Sequence, residues 1–137
     1  MTNQWQLKFA YSYQQFTLNT VKRVPPGIVD FSDVYENSTP EHQVSLRSIT
    51  HLTDNMDLSL WYRYMDEVPI SNPRTGKAIP AYHTLDLNYS WDVIKMINVS
   101  LAAKNLLEPS HLEFAAESFG TPIEIERSVH AQLKIKF

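Results

Sequence analysis

Cysteine is missing from the 137 residues, and with it disulfide staples and thiolate metal sites. Also missing is any run of the 18 or more continuous apolar residues that a membrane helix needs, and mean hydropathy is −0.31. Charge of one sign is scarce, with 12 Lys and Arg against 15 Asp and Glu and no basic cluster, so nothing marks a nucleic-acid footprint. The segment Met1 to Ala10 has no basic start, apolar stretch and small-residue cleavage site, so it does not read as a signal peptide. What is present is 43% hydrophobic and 12% aromatic residues, enough for one compact unit or a piece of one.

Those apolar residues alternate. From Trp5 to Gln14, Trp5, Leu7, Phe9, Tyr11 and Tyr13 fall on one side and Gln6, Lys8, Ala10, Ser12 and Gln14 on the other. His42 to His51 sets Val44, Leu46, Ser48 and Thr50 against Gln43, Ser45, Arg47, Ile49 and His51, a weaker version of the same pattern. Met56 to Met65, Ala81 to Trp91, Ile97 to Lys104 and Arg127 to Phe137 repeat it. A strand that is apolar on one side only has ordinary average hydropathy, so an unremarkable mean does not exclude a membrane wall made of strands.

The six runs are about 8 to 11 residues long, near the length that a tilted strand needs to cross a bilayer and longer than a usual soluble strand. Their connections alternate long and short: Phe16 to Glu41 (with Pro25, Pro26 and Gly27), Leu52 to Asn55, Asp66 to Pro80, Asp92 to Met96, and Leu106 to Glu126. Short turns on one side and long loops on the other are what two different sides of a membrane impose. The expected fold is therefore all-β, an antiparallel up-and-down meander of about six long strands forming part of a transmembrane β-barrel. With the C-terminus on the periplasmic side, Trp5 and Trp91 are expected near the periplasmic rim and Tyr11, Tyr13, Tyr62 and Tyr64 near the outer rim, where an apolar ring with a polar edge is favoured.

The stretches PEHQVSLRS (Pro40 to Ser48), LWYRYMDEVP (Leu60 to Pro69), IPAYHTLDLNYSW (Ile79 to Trp91), KNLLEPSHLEF (Lys104 to Phe114) and IEIERSVHAQLKIKF (Ile123 to Phe137) are similar, in order and spacing, to the closing strands of TonB-dependent outer-membrane receptors. The resemblance runs from about Trp5 to Phe137. It implies a barrel of about 22 strands, an N-terminal plug domain inside it and a motif that contacts TonB. On it, residues 1–137 are expected to be the C-terminal segment of such a barrel, with the plug, the TonB-contacting motif and the earlier strands absent. The implied function is uptake of a metal chelate such as a siderophore, cobalamin or a similar scarce solute, with no cofactor and no enzymatic activity. The implied place is the bacterial outer membrane. The implied partners are its lipid, the barrel assembly machinery, the remainder of the receptor, TonB indirectly through the plug, and a small-molecule substrate.

Phe137, a terminal aromatic on an alternating last strand, resembles the signal read by the assembly machinery, which captures an exposed strand end by strand addition. Lys8, Arg47, Asp57, Arg63, Asp86, Lys104, Lys134 and Lys136 share the polar face, where a wet lumen accepts charges that lipid would not. They are expected chiefly to pair with one another. His111 and Glu113 fall short of the three or four converging groups of a metal site, so none is expected there. Asn37, Asn88 and Asn98 match Asn-x-Ser/Thr, a pattern too short to imply a glycan. Substrate contacts are expected on the three long loops.

Two other readings compete. One is a soluble antiparallel β-sandwich binding module, which would fold its apolar faces into a shared core. The other is an outer-membrane enzyme using His51, His130 or His111 near Asp57 or Asp86, for which no nucleophile with its base is identifiable by spacing. The membrane reading carries its own consequence. Six strands cannot close a lumen suited to about 22, and bare strand edges have no partner in hydrocarbon. A curved open sheet is expected, and aggregation of the isolated product.

Overall fold

The computed structural model describes residues 5–18, 32–72, 77–114 and 122–137. Pro25, Pro26 and Gly27 of the first long connection lie outside the described residues. Six strands pair in one antiparallel sheet: β1 (Trp5–Tyr13), β2 (His42–Thr53), β3 (Met56–Met65), β6 (Tyr82–Ile94), β7 (Ile97–Lys104) and β10 (Ser128–Ile135), adjacent in that order. The expected meander is thus present, and β1 and β10 remain its open edges. The strand of ten residues, β3, is about 34 Å long, and at a tilt of about 45° it spans close to the 25 Å of a membrane barrel's apolar band.

The register keeps the two faces separate across all strands. Leu7 lies opposite Ser48, Ser48 opposite Leu60, Leu60 opposite Leu87, Leu87 opposite Ala103 and Ala103 opposite Val129. One residue along, Lys8, Arg47, Trp61 and Asp86 form the neighbouring row on the polar face. Because side chains alternate with a period of two, a slip of one residue in any pair would put charge into the oily row, which is what fixes the register.

The two short turns are tighter than the sequence suggests. β2 and β6 run on to Thr53 and Ile94, leaving residues 54–55 and 95–96 as turns, and each strand has a register shift just before its turn, at His51/Thr53 and Asp92/Ile94. An extra residue in one strand sharpens local twist and bends the ribbon into its turn.

All three long connections lie at the opposite end of the sheet and carry structure of their own. The first holds a short helix, α1 (Ser32–Glu36). The second holds the hairpin β4 (Val68–Asn72) and β5 (Lys77–Ile79), and the third the hairpin β8 (Ser110–Phe114) and β9 (Ile123–Glu126). Ser110 to Phe114, which the sequence places inside the long connection Leu106 to Glu126, therefore forms a strand. Between these hairpins sits a small core of Val68 and Ile79 with Tyr82 and Leu112 against it.

On the large sheet the apolar face is uncovered. Phe9 is 69% exposed, Trp5 63%, Val129 62% and Leu133 61%, and among the described residues of that face only Ala103 is buried. The polar face is the concave one: Ile49, Asp57, Ser59, Asn88, Ser100 and His130, from five strands, line a hollow of about 450 Å³. A sandwich requires the opposite arrangement, with apolar rows packed against a second sheet.

Candidate functional site

The richest polar constellation lies on the concave face at the long-connection end. Trp61 of β3 is the platform. Its indole N–H donates to Ser45 Oγ at 2.8 Å, and the guanidinium carbons of Arg47 and Arg63 lie 5.7 and 4.5 Å from its ring centroid. A cation over an indole face is held by the ring quadrupole, by about 0.5–2 kcal/mol depending on exposure. Arg63 also donates through Nη2 to Asp86 Oδ2 of β6 at 3.1 Å.

Asp86 connects the wall to the β8–β9 hairpin. Its Oδ1 accepts the backbone N–H of Asn105 at 3.0 Å, just past the end of β7. Asn105 has φ of 56°, a left-handed conformation that its short polar side chain tolerates better than most residues do. That turn sends the chain across the mouth. Asn105 Nδ2 donates to the Ile125 carbonyl at 3.0 Å, and Arg127 Nε donates to the Asn105 carbonyl at 3.2 Å. On the hairpin, His111 stacks on Tyr82 with centroids 4.4 Å apart and its Nε2 meets Glu113 Oε1 at 2.8 Å. A cavity of about 390 Å³ lies between hairpin and wall.

Of the charges placed on the polar face by the sequence, Arg63 and Asp86 pair, and Asp57 meets His51 instead of a Lys or Arg. Arg47, Lys8, Lys104, Lys134 and Lys136 make no ion pair among the described residues. The expectation of mutual pairing thus holds for one pair, and most of the lysines stay free on the wet face. His111 and Glu113 engage each other, and among the described residues no group of three or more His, Asp or Glu could hold a metal.

The six aromatics fall on the outward, apolar face. Tyr11, Tyr13, Tyr62 and Tyr64 sit at the long-connection end and Trp5 and Trp91 toward the short turns. The sequence missed that two histidines complete the upper aromatics. Tyr11 Oη and His42 Nδ1 are 2.8 Å apart, with Tyr13 directly opposite His42. Tyr62 Oη and His83 Nδ1 are 2.7 Å apart, with Tyr64 directly opposite His83. The signal was available: Tyr-x-Tyr near the top of one strand facing His near the start of its partner, in both pairs. At the other end Trp5 Nε1 donates to Ser48 Oγ at 2.9 Å. Phe137 lies beyond β10, fully exposed, while the Lys136 N–H donates to the Met96 carbonyl at 2.9 Å and extends the ladder to its neighbour.

The histidines considered for acid–base work are spread out. His51 contacts Asp57 near a short turn, His130 lies opposite Ala102, and His111 is at the far end on the hairpin. No hydroxyl is hydrogen-bonded to any of the three among the described residues.

A family model described as TonB dependent receptor-like, beta-barrel matches residues 1–106. The siderophore receptor PiuA from Acinetobacter baumannii shares the fold, with a TM-score of 0.73 at 22% identity over 100% of this chain and 20% of PiuA. The chain thus spans about a fifth of that receptor's length. No curated protein matches it. The matched family is of the outer-membrane type, and its proteins are transport receptors, not enzymes. With the matching family model, an uncovered oily face, a concave wet face and mouth hairpins at one end, this chain belongs to the TonB-dependent receptor β-barrel family.

Proposed function

We propose that residues 1–137 form six neighbouring wall strands at the C-terminal end of an outer-membrane receptor barrel that imports a scarce small solute, a siderophore or another metal chelate, or cobalamin. The observation that carries this is the apolar face bearing exposed Leu7, Phe9, Leu46, Leu101, Val129 and Leu133 on the convex side of a sheet whose concave side is polar. In water such a face would expose apolar area worth about 25 cal/mol per Å², whereas lipid covers it at no cost. Membership of the family implies a larger receptor and dealings with TonB. For this chain the partners are the remaining strands on the edges of β1 and β10, a plug domain against the concave face, and TonB through that plug.

In this arrangement Trp5 and Trp91 mark the periplasmic interface and Tyr11, Tyr13, Tyr62 and Tyr64 the outer one, with lipid between. Fractionation tests the whole reading. The chain is expected with outer membranes, resistant to alkaline carbonate and released by detergent. A monomer that unfolds cooperatively in plain buffer would instead support the sandwich.

Phe137 is proposed as the assembly signal, since an exposed aromatic at the end of a strand with an open edge suits capture by strand addition. Phe137→Ala should lower the membrane-inserted fraction several-fold and Phe137→Tyr much less. The check is quantitative immunoblotting of inserted and aggregated protein. Equal insertion of all three forms would remove that role.

A further inference from the structure

We propose that the concave wall is a docking surface for an acidic face of the domain that fills the barrel, and that a carboxylate of that domain seats on the guanidinium of Arg47. The inference rests on the receptor reading, which places a polypeptide against this face and leaves its charge open. Two observations set that charge. The first is the sign of the wall. Lys8, Arg47, Arg63, Lys104, Lys134 and Lys136 share the concave face with Asp57, Asp86 and Asp92, whereas over the whole chain acidic residues outnumber Lys and Arg by 15 to 12. Asp57 and Asp86 are engaged by His51 and Arg63, and Asp92 Oδ1 accepts from Asn98 at 2.8 Å. A surface with an excess of one sign selects a partner of the other sign and rejects its own.

The second is the setting of Arg47. It lies on β2, an inner strand, so its neighbours on that face are all described. Lys8 and Trp61 flank it, Ser45 and Ile49 precede and follow it, and the diagonal positions hold Arg63 and uncharged residues. None of these is a carboxylate and two are cations, so a counter-charge has to arrive from across the concave face. The guanidinium is already positioned to meet one. Its carbon lies 5.7 Å from the Trp61 ring centroid, and its Nε donates to Ser59 Oγ at 3.4 Å. Both Nη groups are unpaired among the described residues, and together they can give a carboxylate two parallel hydrogen bonds. A side chain held by an indole and a serine has less freedom to lose when its partner docks. Arg63 over the same indole shows the completed arrangement, with Asp86 supplying the carboxylate. At Arg47 the wall leaves that carboxylate to the partner.

The test is made on the intact receptor in isolated outer membranes. Arg47→Lys keeps the charge and supplies an amine, which a water-soluble carbodiimide joins as an amide to a carboxylate in contact with it. Mass spectrometry of the digested protein then locates both ends. The expected product links residue 47 to an Asp or Glu of the plug. Arg47→Glu should make the plug several-fold more accessible to added protease. Changing the mapped carboxylate to Arg in that variant should restore protection, which a merely structural loss at residue 47 would not allow. Absence of a plug link from residue 47, or links from it to wall carboxylates only, overturns the proposal. If Arg47→Lys does not insert, Lys8 of the unsubstituted receptor decides in the same way, since it lies directly opposite Arg47. The receptor reading fails separately: a chain recovered as a soluble monomer with no plug sinks it, whereas a membrane receptor whose plug is present but linked elsewhere sinks only the acidic docking.

Discussion

Leu87→Arg is expected to lower the stability of the bilayer-inserted barrel by about 2–4 kcal/mol, the cost of a cation at the midplane of a barrel's lipid face. Leu87 is at the middle of β6, opposite Leu60 on one side and Ala103 on the other, so the new guanidinium has oily neighbours in both directions. Asn88→Arg, one residue along, puts the same charge on the concave face beside Ser59 and Ala102. It should cost little there, because a wet lumen solvates it. Denaturant titration of the protein folded in bilayers measures both, and the contrast between neighbours is the informative quantity. A sandwich would give a loss at Leu87 as well, but it would make the chain unfold in buffer without lipid. Equal effects at the two positions would mean that the sheet does not separate lipid from water.

The contrast follows from the feature most legible in the sequence. Alternation over 8 or more residues locates a strand because no other element has a period of two, and β3 and β7 start and stop at Met56, Met65, Ile97 and Lys104 as the pattern indicates. The hairpins at the mouth were not legible. β5 has three residues, too few to show a period, and β8 reads Ser-His-Leu-Glu-Phe inside a long connection, where a polar His111 gives no sign that it is buried. The sequence put Arg63 and Asp86 on one face but could not choose their partners. In the register Arg63 is opposite Thr84 and Asp86 opposite Trp61, so the ion pair is diagonal and depends on tertiary alignment. Asn105 gave no periodic signal at all, since its importance lies in a backbone angle and in bonds to β9 some 20 positions away.

Asp86→Ala should destabilise the folded chain by about 3 kcal/mol, and the loss should concentrate at the mouth. Two interactions disappear together. The ion pair with Arg63 is only half-shielded, the Arg63 side chain being 39% exposed and that of Asp86 11%, so solvent screening discounts it to the lower part of the range for charged hydrogen bonds. The second loss is larger in kind, because the Asn105 N–H is buried and has Asp86 as its acceptor. An N–H left unpaired in a dry place costs about 1–3 kcal/mol by itself. Asp86→Asn keeps an acceptor oxygen and should recover most of the second term while losing the charge. Hydrogen exchange separates the two: in Asp86→Ala the Asn105 amide and the β8–β9 ladder should lose protection, and in Asp86→Asn they should keep it. Because Asn105 and Arg127 fasten the hairpin over the wall, the same loosening should open the cavity below it without disturbing the β2–β3 pairing. Uniform loss of protection across all six strands would show instead that Asp86 supports the whole sheet and that wall and mouth hairpin unfold as one unit.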